Sequence, residues 1–356
     1  MGLPMPHDAR RVMTHGPRIG VMGAGSIGCY VGGLLAASGV DLVMVGRERI
    51  RAEVMAHGLV LEDLDGAPPR CVTQDALRFE TSPSVLADRD VVLVCVKSSA
   101  TEETGSVLSS ILPNDTSVVS LQNGLHNADR LRAKLAGREV LGGIVGFNVV
   151  SRGPGVFRRA TSGPIVVEAS RSSHVARLLD ELVRIGLEVE SPTDIRPLQW
   201  SKLVMNLNNA VSALSDRPTA ELLVDDGYRR VLAAIIEEAV DLFRVSKTKT
   251  ARLGPLPVAA FPKVLRLPKP LLRLVTRAQV KIDPEARSSM WEDLRLRRTT
   301  EVDELNGEIV RLAVACGKTA PINARVVSLV HEAEAKGQGS PALTADSLRR
   351  ELGIRR

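Results

Sequence analysis

Aromatic residues are nearly missing from this sequence: two tryptophans, two tyrosines and five phenylalanines make up 3% of 356 residues. A surface that stacks single-stranded nucleic acid on rings is therefore a poor reading. The core must instead be built from Leu, Val, Ile and Ala, within a hydrophobic content of 44%. Cysteine is sparse as well. Cys29, Cys71, Cys95 and Cys316 form no Cys-x-x-Cys pair, so neither a disulfide frame nor a zinc site is expected, and isolated thiols suit a reducing cytoplasm. No apolar run reaches membrane-spanning length. Residues 1–16 are polar, lead into no apolar signal core, and read as a loose tail. Carboxylates are absent from residues 242–282, which carry ten lysines and arginines. That local excess is larger than the net charge of +6 of the whole chain, so the remainder is mildly acidic and a general affinity for nucleic acid is not expected.

What is present alternates. Residues 18–22 read as a strand, 26–38 as a helix of small and apolar residues, and 40–45 as a second strand. The run VVLVCV at 91–96 has the composition of a strand buried on both faces. A helix at 101–112 and strands at 117–121, 140–147 and 165–168 continue the pattern. Strand–helix–strand repetition at this spacing predicts an α/β fold with a doubly wound, Rossmann-type parallel sheet. From Pro197 onward the apolar period becomes helical, at 200–214, 228–244, 288–316 and 323–336. The expected division is a tail at 1–16, a dinucleotide-binding sheet domain at 17–192, and an all-helical domain at 193–352 for substrate and catalysis. The prolines between 254 and 270 forbid one straight helix there.

Several residues then carry chemistry. Gly23-Ala-Gly25-Ser26-Ile27-Gly28 follows a strand and opens a helix. Such glycines permit a tight turn and a close approach of backbone to a pyrophosphate, which the helix N-terminus attracts. At the end of the second strand stands Arg47 rather than a carboxylate. A guanidinium there pairs with a ribose 2′-phosphate, favouring NADP over NAD, although Glu48 is adjacent. Lys97 and Gln122-Asn123-Gly124 end two further strands, at the sheet edge where ligands of such folds sit. Lys202, Asn206 and Asn209 share a helix face at spacings of four and three, in an otherwise apolar helix. If buried, such a polar stripe needs partners, which a cleft would supply; the alternative is that it is simply the solvent face of the helix. Ser288-Ser289 and Glu301 read alone as a helix cap and a surface charge.

In this order the motifs resemble the ketopantoate reductase family: Gly-x-Gly-x-x-Gly, Arg47, Lys97, Gln-Asn-Gly, Trp-x-Lys-x-x-x-Asn from Trp200, Ser-Ser-Met-x-x-Asp from Ser288, and Thr300-Glu301 before Asn306-Gly307. The resemblance runs from about residue 17 to about residue 331. It implies NADPH as cofactor and reduction of 2-dehydropantoate to pantoate, a step toward pantothenate. By position it implies Lys202 as general acid, with Asn206 and Asn209 holding the substrate's polar groups. Asn123 and Ser289 would contact substrate, and Glu301 would orient it. Gly23, Gly25, Ser26, Ile27, Gly28, Arg47, Lys97, Asn123 and Glu301 would meet the cofactor. In many members of the family the second helix asparagine falls eight residues after the lysine, where this chain has Ala210. Residues 245–282 also form a longer basic excursion than usual. The expected partner is a small 2-oxo acid, with no nucleic acid and no membrane span; a homodimer is compatible with the sequence. A sister reductase of another 2-oxo acid or of an imine would share these motifs. So would a non-catalytic NADPH-binding sensor, which however has no need of Lys202 and Glu301.

Overall fold

Short β-branched and aliphatic runs dominate the strands of the first half. The structure is a computed structural model that describes residues 16–64, 66–253, 256–276, 283 and 286–354. Its strands in chain order are β1 Ile19–Met22, β2 Leu42–Val45, β3 Leu59–Glu62, β4 Arg70–Val72, β5 Arg78–Glu80 and β6 Val91–Val94. They continue with β7 Ser117–Ser120, β8 Val140–Val145, β9 Val149–Gly153, β10 Val156–Arg159, β11 Ile165–Val167 and β12 Val189–Glu190. Eight of them form one sheet in the order β12-β11-β8-β7-β6-β1-β2-β5. Every neighbouring pair is parallel except β8 with β11. The chain runs outward in one direction from β1 to β2, then crosses to β6 on the other side. That reversal creates a crevice beyond the carboxyl ends of β1 and β6.

β2, β6, β7 and β8 are buried along their whole lengths. Helices α1 Ser26–Ala37, α2 Glu48–His57, α3 Thr101–Ile111, α4 Asn127–Lys134 and α5 Ser173–Arg184 accompany this half. Its two larger apolar clusters differ in what they join. One joins Val21, Leu35 and Met44 to Leu178 and Leu182 of α5, the other joins Val43 and Val92 to Leu108 and Leu131. The remaining strands form a small sheet in the order β4-β3-β10-β9 that the sequence pattern did not reveal. Its members are three to five residues long, too short for alternation to be read.

The second half is helical: α6 Arg196–Asn206, α7 Asn208–Ser215, α8 Thr219–Val224, α9 Asp226–Ser246, α10 Phe261–Leu265 and α11 Lys269–Thr276, then α12 Ser289–Arg295, α13 Asn306–Ala315, α14 Pro321–Lys336 and α15 Ala345–Glu351. A hairpin of Arg252–Leu253 and Leu256–Pro257 interrupts them. One apolar cluster, running from Leu203 through Ile235 to Val330 and Leu348, holds this half together. The capping chemistry is local. Asp225 accepts a hydrogen bond from the Tyr228 N–H at 3.0 Å to open α9, and Lys247 in the left-handed region closes it.

Two stretches expected as single helices are divided. The pattern at 200–214 breaks at Leu207, between α6 and α7. The pattern at 288–316 becomes α12 and α13, with Arg297 at φ +54° and a single 3-10 turn at Val302–Glu304 between them. Tertiary contacts override the helical period here. The Thr300 N–H donates to Glu334 Oε1 at 2.7 Å, and the Thr299 carbonyl accepts from Lys97 at 3.5 Å. This break is what frees Glu301 to reach across to the sheet. Of the expected tail only Gly16 lies among the described residues, as does all of the basic excursion save 254–255 and 277–282.

Candidate active site

The glycine turn connects β1 to α1, and two of its glycines, Gly23 and Gly28, answer different steric demands. Gly23 has φ +104°, and a Cβ there would stand 2.6 Å from the Val96 backbone nitrogen. A Cβ on Gly28 would stand 2.4 Å from the Gly23 carbonyl oxygen, so helix and strand could not pack as they do. A Cβ on Gly25 would meet nothing within 4 Å, which leaves open space over the turn. α1 begins at Ser26 with no side-chain cap and no acidic residue in its first turn. The amides of Ser26, Ile27 and Gly28 lack helical acceptors. Arg47 precedes α2, is exposed, and has no ion-pair partner among the described residues. Glu48 is turned to Arg51, at 3.3 Å. A cradle with room for phosphates, amides with no acceptor and a free guanidinium at the ribose end together fit a phosphorylated dinucleotide.

Beside that turn, the ends of β6 and β7 carry a continuous hydrogen-bonded network. β1, β6 and β7 are consecutive neighbours in register, with Met22 beside Val94 and Val94 beside Ser120. The residues that follow them thus lie along one edge, roughly 10 Å across three strands. Ser120 Oγ donates to Gln122 Oε1 at 3.0 Å, Gln122 Nε2 to Thr101 Oγ1 at 2.7 Å, and Thr101 Oγ1 to Asn127 Oδ1 at 2.9 Å. Asn127 Nδ2 donates to Ser98 Oγ at 3.0 Å, and Ser98 donates to Glu301 Oε1 through its hydroxyl at 2.9 Å and its backbone amide at 3.1 Å. The other Glu301 oxygen accepts from Asn123 Nδ2 at 3.5 Å, and Asn123 Oδ1 accepts from Asn206 Nδ2 at 3.3 Å. Glu301 therefore ties the helical half to the sheet edge.

A second tie lies next to it. The Lys97 ammonium forms an ion pair with Asp293 of α12. Burial pushes the Asp293 carboxyl up to about 6, with Lys97 pulling the other way and the Glu301 and Glu292 charges adding to the rise. Lys97 thus reaches the helical half rather than free solvent.

Opposite stands α6. Gln199, Lys202, Leu203 and Asn206 face a narrow pocket whose other wall is Gln122-Asn123-Gly124 and Gly143-Ile144-Val145. Burial lowers the Lys202 ammonium from 10.5 to about 8. It has no hydrogen-bond or ion-pair partner among the described residues. A partly desolvated cation is costly to keep unless something arrives to pair with it.

The expected residues divide accordingly. Lys202, Asn206 and Asn123 line one pocket, and Glu301 bonds to Asn123 at its rim. Asn209 lies beyond the break, on α7; its carbonyl accepts from Ser288 Oγ at 2.9 Å, while its 8%-exposed side chain has no partner among the described residues. The cap of α12 is Ser288, whose Oγ accepts from the Trp291 N–H at 3.1 Å. Ser289 sits exposed in the first turn, outside the pocket. Sequence reasoning passed over Ser98, Thr101, Asn127 and Gln199. Only Gln199 left a signal, since it precedes Lys202 by three residues on the same helical face.

Comparison with known proteins identifies the family of the chain. The model described as ketopantoate reductase PanE/ApbA matches residues 19–172, and its C-terminal counterpart matches residues 194–334. The chain is 27% identical over 328 residues to the 2-dehydropantoate 2-reductase of Pyrococcus horikoshii, covering 91% of this chain and 99% of that one. It is 29% identical to that of Halobacterium salinarum, over 90% of this chain and 100% of the other. Among solved structures, the PanE/ApbA family ketopantoate reductase from Ralstonia eutropha superposes with a TM-score of 0.74 at 31% identity, covering 90% and 99% of the two chains. A D-mandelate dehydrogenase solved with NADH and anilino(oxo)acetate shares the fold, with a TM-score of 0.71 at 21% identity over 90% and 99%. With both halves matched in order across most of its length, the chain belongs to the ketopantoate reductase family of oxidoreductases.

Proposed function

We propose that this chain reduces a small 2-oxo acid, 2-dehydropantoate foremost, to the corresponding 2-hydroxy acid with NADPH, and that Lys202 is the proton donor. The observation that carries this reading is the unpartnered Lys202 ammonium, held among amide side chains beside the carboxyl edge of a dinucleotide-type sheet. When bound, the reduced nicotinamide supplies a hydride to the ketone carbon. The negative charge that develops on the ketone oxygen then needs a donor at its position. The Lys202 Nζ, with its pKa brought near 8, holds a proton at neutral pH and releases it more readily than an exposed lysine would. Asn206 and Asn123 hold substrate polar groups, and Asn209 extends that face. Glu301, fixed by Ser98, orients Asn123 and the substrate beside it. Gly23, Gly25 and the amides of Ser26, Ile27 and Gly28 receive the pyrophosphate, and Arg47 receives the 2′-phosphate. Lys97, which is paired with Asp293, would meet the cofactor's ribose or phosphate.

Reduction of a different branched 2-oxo acid draws on one observation. Position 210, where the family resemblance would place an asparagine, is an alanine wholly buried in the helical core, so that contact would have no counterpart in this chain. NADPH oxidation measured against 2-dehydropantoate and a panel of 2-oxo acids decides between the two. A highest kcat/KM for 2-dehydropantoate supports the first reading, and no oxidation with any member of the panel removes both.

A further inference from the structure

We infer that Gln199 is a specificity-determining residue that binds the carboxylate of the oxo acid, an assignment that rests on the reductase reading above. Gln199 is 7% exposed, and its side chain has no hydrogen-bond partner among the described residues. It faces the pocket one turn before Lys202, with Nε2 3.4 Å from where a Cβ on Gly142 would stand. A carboxamide that lines a pocket with neither donor nor acceptor used among the described residues is available to a ligand.

Charge decides which end of the substrate it meets. The residues lining the pocket include one cation, Lys202, and no arginine, so neutral donors must share the work of holding an anion. Asn206 already spends its Nδ2 on Asn123, which leads directly to the Glu301 carboxylate. A substrate carboxylate at that end would face Glu301 and be repelled. At the other end the nearby carboxylate, Glu168, is paired with Arg132 at 2.5 Å and accepts the Gly142 amide at 3.1 Å, so its charge is answered. The acid group therefore points toward Gln199 Nε2. The ketone oxygen lies under Lys202, one turn further along, and any distal hydroxyl lies toward Asn206 Oδ1, which has no partner among the described residues. Neighbours at i, i+3 and i+7 on one face set these three contacts at successive turns.

The test pairs a charged and an uncharged ketone. KM and kcat are measured with NADPH for 2-dehydropantoate and for its neutral lactone, in the wild type, Gln199→Leu and Gln199→Glu, with thermal melting as a check on folding. The leucine variant should raise KM for the acid at least about tenfold while kcat changes less than about threefold and the lactone KM stays put. The glutamate variant should raise the acid KM further, and its penalty should shrink as pH falls toward the carboxylate range. Equal changes for acid and lactone in a variant that melts like the wild type would overturn the assignment, as would an unchanged acid KM. If the wild type reduces neither compound, the reductase reading has failed. The Gln199 assignment is then judged by oxamate, an unreducible 2-oxo carboxylate: it should raise the melting temperature of the wild type and not of Gln199→Leu, and an equal response in both would overturn it.

Discussion

The two walls of the pocket differ in how their polar groups are satisfied. On the sheet edge, Ser98, Thr101, Gln122, Asn123, Asn127 and Glu301 bond to one another. On the helical wall, Gln199 and Lys202 have no side-chain partner among the described residues, and just beyond them neither does Asn209. Buried polar groups that satisfy each other fix a shape, whereas those left open are held for a ligand. On the proposed reading, the difference means that the edge positions and the helix reacts. Substitutions on the first wall should loosen the fold or displace neighbours, and substitutions on the second should cost chemistry while the fold stands.

Lys202→Ala makes the largest break. Loss of a positioned general acid lowers turnover by about 10²–10⁴-fold. NADPH affinity, measured by fluorescence titration, should stay within about threefold, because the glycine turn and Arg47 lie on the other half of the molecule. The wild-type reduction rate should also fall as pH rises through about 8, where the ammonium gives up its proton, and the variant should lack that limb. A variant turning over at the wild-type rate would put Lys202 among the groups that merely line the pocket.

The same contrast explains what could be read from the sequence. The glycine turn was legible because backbone demands glycine at Gly23 and Gly28, and the buried strands were legible because an unbroken apolar run has few other uses. The face of Lys202 and Asn206 followed from helical spacing alone. Ser98, Thr101 and Asn127 were invisible, since each reads as an ordinary turn or helix-start residue and acquires its part only from neighbours distant in sequence. Glu301 read as a surface charge for a related reason. The helix expected through it is broken by contacts made to Lys97 and Glu334, which no local pattern announces.

Arg47→Ala sharpens the comparison on the cofactor side. Charge-assisted hydrogen bonds to a 2′-phosphate contribute about 1.5–3 kcal/mol, so NADPH should bind roughly 10–100-fold more weakly. NADH, which lacks that phosphate, should change little. Equal losses for both nucleotides, measured by titration, would remove Arg47 from the phosphate site.

Asn127→Ala tests the positioning wall. Its amide donates to Ser98 Oγ and to the Asn123 carbonyl, and its Oδ1 accepts from Thr101, all without touching the pocket. Leaving those buried partners unpaired should cost about 1–3 kcal/mol of stability by denaturant unfolding. KM should rise, because Ser98 and Asn123 both hold Glu301. A stable variant with normal kinetics would mean that the network is dispensable.

The smallest effect should have the opposite sign. Burial lowers Lys202 from 10.5 to about 8 in the folded protein. Between about 8 and 10.4 the unfolded chain keeps a proton that the folded chain has released, so the contribution of this group to stability rises with pH across that window. Below 8 both states carry the proton, and the fold bears the full cost of a desolvated ammonium. Lys202→Met keeps the length of the side chain and removes the charge. It should melt slightly above the wild type at pH 7, and the difference should narrow as pH rises from 8 to 10. On the opposite wall Asn127→Ala should melt lower at every pH, since no titration relieves an orphaned amide. If Lys202→Met instead melts below the wild type at pH 7, the ammonium is a structural contact, and the helical wall is satisfied in the same way as the sheet edge.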